Sequence, residues 1–227
     1  MQRHFVQELE ALKTNIIKMG SLAEQSIAVS IRSLLDGRKD VARQVIEQDK
    51  EINTFEITIN QQVVDLLALH QPVATDLRFI LAAAGITTDL ERIGDHAVNI
   101  AESAIVYAGY PPVKPLVDIP KMAQITEQIL RDVIDGFIHN NPGLCRAVLP
   151  NDDVVDDLNK RVVSDLVRIM HQNPDSIEPA LELIRVSRNL ERVADLASNI
   201  AEEVIFMADA EIVKHRLGEL GAPNDAL

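Results

Sequence analysis

Asp89 to Glu102 reads DLERIGDHAVNIAE, and Asn189 to Glu202 reads NLERVADLASNIAE. Leu90, Glu91, Arg92, Asp95, Ala97, Asn99, Ile100, Ala101 and Glu102 all recur at an offset of 100 residues, so nine of the fourteen positions are identical. Such self-similarity marks two copies of one structural unit. On a helix, Leu90, Ile93, Ala97, Ile100 and Ala104 fall on one face, the stripe that packs on a core. Glu91, Asp95 and Glu102 lie within about 40° of one another on the opposite side. The second copy repeats this with Glu191, Asp195 and Glu202.

The chain is punctuated around these segments. Pro111, Pro112, Pro115 and Pro120 crowd into Tyr110 to Pro120, a density that no helix interior tolerates, which places a linker near the middle of the 227 residues. Before it, helical periodicity runs over Phe5 to Leu35, Val41 to Leu69 and Leu77 to Tyr107. After it, the pattern returns over Pro120 to Ile138, Leu144 to Met170 and Ile177 to Met207. The connections are short, so neighbouring helices run antiparallel. The predicted fold is all-α: two tandem three-helix bundles built from six long antiparallel helices, with an internal pseudo-two-fold repeat. The halves are predicted over 1–110 and 116–216, with a frayed tail over 217–227. Pro150 either kinks the fifth helix or delays its start to Asn151, which then serves as N-cap. Asp175 with Glu178 reads as a capping pair for the last helix.

Composition narrows function. Hydrophobic residues make up 47% and aromatics 3%, which fits aliphatic helix packing. A net charge of −13 opposes nucleic-acid and anionic-lipid binding. The lone Cys145 cannot close an internal disulfide and fits a reducing compartment. No segment has the uninterrupted apolar run of a signal peptide, nor the roughly 18 to 20 residues of a membrane span. A soluble, cytoplasmic protein is expected.

An acid pair at i and i+4 destabilises a helix by a few tenths of a kcal/mol unless a cation neutralises it, and one such pair alone is ordinarily a solvated face. Here the pairs meet partners. Antiparallel packing about Pro72 sets Asp49 and Asn53 level with Asp95 and Glu91, and packing about Pro174 sets Asp152 and Asp156 level with Glu191 and Asp195. Clusters of hard oxygen ligands suit magnesium, manganese, calcium or iron. His96 is expected to be a surface histidine, its counterpart being Leu196, and Arg92 and Arg192 to form ion pairs with the acids. No Glu-x-x-His pair, glycine-rich phosphate loop, zinc-protease histidine pair or serine elbow occurs.

At Leu90 to Glu102, at Gln71-Pro72-Val73-Ala74-Thr75-Asp76-Leu77-Arg78, and at Asp49-x-x-Ile52-Asn53 with Asp152-x-x-Val155-Asp156, the chain resembles the PhoU family of phosphate-uptake regulators. The likeness spans Phe5 to about Arg216. It implies a cytoplasmic, often dimeric protein that links the ATPase of a phosphate ABC transporter to a sensor histidine kinase and represses both when phosphate is plentiful. Membrane association would then come only through those partners. It also implies divalent or multinuclear metal, whether iron, zinc, manganese or magnesium, on Asp152 with Asp156, Glu191 with Asp195, and Glu91 with Asp95. The remaining pair, Asp49 with Asn53, departs from the family's acid pattern, so the N-terminal site has one formal charge fewer and is expected to bind metal more weakly. Three classes stand at this stage: a non-enzymatic regulator, which leads, a carboxylate-cluster metalloenzyme, and a purely structural helical protein.

Overall fold

A computed structural model describes residues 2–114 and 116–213. The expected tail over 217–227 and the last residues of the second half lie outside them. Seven α-helices form among the described residues: α1 (Gln2–Asp36), α2 (Lys39–His70), α3 (Ala74–Tyr107), α4 (Asp118–His139), α5 (Pro142–Val148), α6 (Asn151–Gln172) and α7 (Ile177–Asp209). No strand occurs among the described residues. α1, α2 and α3 make one three-helix bundle, and α4, α6 and α7 make the second, with the short α5 packed on α4 and α7.

Turn chemistry sets the reversals. Gly37 takes the left-handed φ of 64° that ends α1, a conformation nearly free of strain only for glycine. Gln71 and Asn140 cap α2 and α4 in the same region, and Pro72 prevents α2 from continuing. Pro150 decides the entry to α6. It has no N–H to donate, so the periodic stretch from Leu144 splits into the seven-residue α5 and an α6 that starts at Asn151.

Two local expectations need correction. Asn151 is the first residue inside α6, and Pro150 holds the cap position without a side-chain bond. The Asp175 and Glu178 capping pair does not form either. Asn173 Oδ1 instead accepts from the Asp175 N–H at 3.2 Å and shapes a 3₁₀ turn over Pro174–Ser176, so α7 begins only at Ile177. Asn173, one residue before the proline, outcompetes Asp175 for the cap.

The two bundles share one continuous core. Its widest helix pairing is α3 against α7, across the repeat boundary, with α1 against α4 beside it. Arg78 Nε donates to the Met207 carbonyl at 3.5 Å, Gly85 lies against Glu203, and His96 meets Asn189. The descending partner numbers show that α3 and α7 run antiparallel. Ala97, Ala101, Ala197 and Ala201 are all fully buried in the shared core.

Close approach also governs the second bundle, where a Cβ on Gly136 of α4 would overlap the buried Cys145 Sγ of α5. Gly136→Ala should therefore destabilise the protein by about 1 to 3 kcal/mol in urea unfolding. Adding Cys145→Ala should recover part of that loss. Additive costs in the double variant would refute the contact as the cause.

Candidate metal centre

The α6–α7 pair gathers carboxylates. Asp156 of α6 and Glu191 and Asp195 of α7 each offer an oxygen, and the three oxygens lie within 4.8 Å of one another. Asp152, one turn before Asp156, completes the group. Its Oδ1 is buried without a hydrogen-bond partner. Burial, followed by the charges of Asp195, Asp156, Asp153 and Glu191, pushes the Asp152 carboxyl up to about 6. Glu191 and Asp195 are raised as well, each chiefly by burial. Arg192 acts against this, donating to Asp195 at 2.9 Å and lying 3.5 Å from Glu191.

The α2–α3 pair is built alike but closes less tightly. Asp49 Oδ1 is also buried without a partner, and it lies so close to Gly94 that a Cβ there would come within 2.9 Å of it. The second repeat carries Ala194 at the matching position. Asn53 Nδ2 donates to Asp49 Oδ2 at 3.0 Å, so the amide neutralises part of the acid and keeps its own carbonyl as the oxygen it can offer. Burial and then Asp95 raise Asp49, while Glu91 is raised by burial, Asp95, Glu56 and Asp49. Among the described residues, no three carboxylates of the N-terminal half converge as Asp156, Glu191 and Asp195 do.

Glu56 was not among the predicted residues. It stands seven positions after Asp49 on α2, and extending the helical stripe by one more turn would have found it. His96 departs from the expected surface position: it is half-buried, and its Nδ1 lies 2.8 Å from Asn189 Oδ1 across the α3–α7 seam. Single-helix periodicity could not show this, because the partner comes from the other repeat. Arg92, Asp95, His96 and Asn99, with their counterparts in α7, line an open cavity of about 460 Å³ on the seam. One acid from each candidate site, Asp95 and Asp195, therefore faces the same groove.

The donor set fits a hard or borderline cation. All its ligand atoms are oxygens, several carboxylates repel one another, and a buried carboxylate oxygen on each side has no partner. A carboxyl raised above its unfolded value stabilises the fold while protonated and loses that contribution as pH rises through the folded value. Metal-free protein should thus lose stability between about pH 4 and 6. Asp152→Asn should flatten that slope and stabilise metal-free protein at pH 7 by on the order of 1 to 2 kcal/mol, after allowing for solvent screening. An unchanged pH profile in thermal unfolding would show that Asp152 is not the strained acid.

Comparison with known proteins meets this architecture in both halves. The PhoU domain profile matches residues 16–104 and 119–204. A phosphate-specific transport system accessory protein PhoU homolog of Aquifex aeolicus is 38% identical over 209 residues, 92% of this chain and 95% of the relative. The homolog of Pseudomonas putida is 34% identical over 217 residues, 95% of this chain and 84% of its own length. The crystal structure of PhoU from Pseudomonas aeruginosa superposes with a TM-score of 0.89 at 33% identity, covering 91% of this chain and all of that one. The Streptococcus pneumoniae regulatory protein PhoU, at 24% identity and a TM-score of 0.85 over 92% of this chain and 99% of its own, shares the fold. With both repeats matched and relatives alike over nearly their whole length, the chain belongs to the PhoU family.

Proposed function

We propose that the protein is a negative regulator of phosphate uptake and of the phosphate-starvation response. In this reading it works in the cytoplasm as a homodimer and couples the ATPase of a phosphate ABC transporter to a sensor histidine kinase. The observation that carries the reading is the family match across both repeats, together with relatives named as accessory proteins of phosphate-specific transport. No helix among the described residues is long and apolar enough to cross a membrane, so membrane contact would come through the partners.

The protein's chemistry in this role is binding. A coupling protein must prefer one state of its partner to another, and only that difference in affinity moves the partner's equilibrium. Asp152, Asp156, Glu191 and Asp195 would hold one metal group, and Asp49, Asn53, Glu91 and Asp95 the other. A bound cation supplies positive charge that offsets carboxylate repulsion. The chain's own part is to hold α6 against α7, and α2 against α3, at the spacing the cation requires. Arg192 restrains Glu191 and Asp195 in that arrangement. The two halves, 1–110 and 116–216, act in this proposal as paired binding units joined along the α3–α7 seam.

Deleting the gene should leave phosphate-starvation genes expressed in phosphate-rich medium, and plasmid-borne wild type should restore repression. The Glu191→Ala, Asp195→Ala double variant should restore it only in part. Normal repression in the deletion strain, with loss of a phosphate-unrelated chemical activity, would overturn the proposal in favour of a metalloenzyme.

A further inference from the structure

At the end of the first bundle remote from the carboxylate sites, three metal-ligating side chains meet. His4 and Glu8 stand one turn apart on α1, and His4 Nε2 lies 3.2 Å from Glu8 Oε1. His70, in the last turn of α2, places its Nε2 2.6 Å from the other oxygen, Glu8 Oε2. Two imidazoles thus converge on one carboxylate, one from the same helix and one from 62 positions away. We propose that His4, Glu8 and His70 form a zinc site that pins the first turns of α1 to the end of α2.

Two features carry this. The donor set mixes two imidazole nitrogens with a carboxylate, the borderline set that favours zinc over magnesium or calcium and differs from the all-oxygen clusters of the two helix pairs. Two of the ligands are held in place. The His70 side chain is only 13% exposed, its ring sits 4.9 Å from Phe5, and Glu8 is 33% exposed.

One adjustment is required. The two rings approach opposite oxygens of Glu8, with centroids 6.5 Å apart, and the three ligand atoms are not yet as close together as those of Asp156, Glu191 and Asp195. The His4 side chain is 72% exposed, so its ring can rotate toward the His70 side at little packing cost. Neutral imidazole then binds through the Nε2 lone pair and carries its proton on Nδ1.

Tag-free, full-length protein, dialysed against zinc and assayed by mass spectrometry with a chromophoric chelator as competitor, tests the site. His4→Ala and His70→Gln should each lose one zinc equivalent per chain or weaken its binding at least tenfold, while the Glu191→Ala, Asp195→Ala double variant keeps that equivalent. Cobalt substitution should give visible bands of nitrogen-ligated, low-coordinate metal that vanish in His4→Ala. The exposed His4 ring can be removed without disturbing the core, so this variant decides the matter even if His70→Gln folds poorly. Zinc content and cobalt spectrum unchanged in His4→Ala would overturn the proposal and leave a hydrogen-bonded clamp.

Discussion

The packing of α3 against α7 is the constraint on which the rest of the molecule depends. Along it Arg78 reaches the Met207 carbonyl, Gly85 lies against Glu203 and His96 meets Asn189. Because each helix also carries the acidic pair of its own repeat, this contact brings the two carboxylate sites to opposite sides of one seam. Arg92, His96 and Asn99 share that seam with Arg192, Leu196 and Asn199. The two repeats thus form one body with a continuous core.

Electrostatics then separates the two sites. In the C-terminal site four acids compete, and burial raises Asp152, Glu191 and Asp195 together. Burying a charge without a partner is costly, and a protein without a cation responds by holding protons longer. In the N-terminal site Asn53 replaces one acid and donates a hydrogen bond to Asp49, so part of the repulsion is relieved from within. The same helical scaffold therefore supports two sites of different charge. His96, which reaches Asn189 and has no equivalent at Leu196, adds to the asymmetry.

Much of this was readable from the sequence because the signals were repeated. The offset of 100 residues, the proline-rich linker and the aliphatic periodicity together imply six long helices in two bundles, and the helices form close to the expected bounds. Register about Pro72 and Pro174 follows from antiparallel geometry alone, and Asp49 does lie against Asp95, and Asp152 against Asp195. Local competition was harder to foresee. Asn173 and Asp175 are both good caps, and only the backbone path into the 3₁₀ turn selects between them. Contacts between repeats, such as His96 with Asn189, and between distant helix ends, such as Glu8 with His70, depend on how whole helices are placed and leave no trace in a single helical stripe.

The central claim is that crowded carboxylates on two helix pairs form two metal sites of unequal strength. Anomalous diffraction from crystals equilibrated with limiting iron or manganese measures both sites in one experiment. The account predicts stronger anomalous density among Asp152, Asp156, Glu191 and Asp195 than among Asp49, Asn53, Glu91 and Asp95. Equal density at both sites, or density at neither, would contradict it.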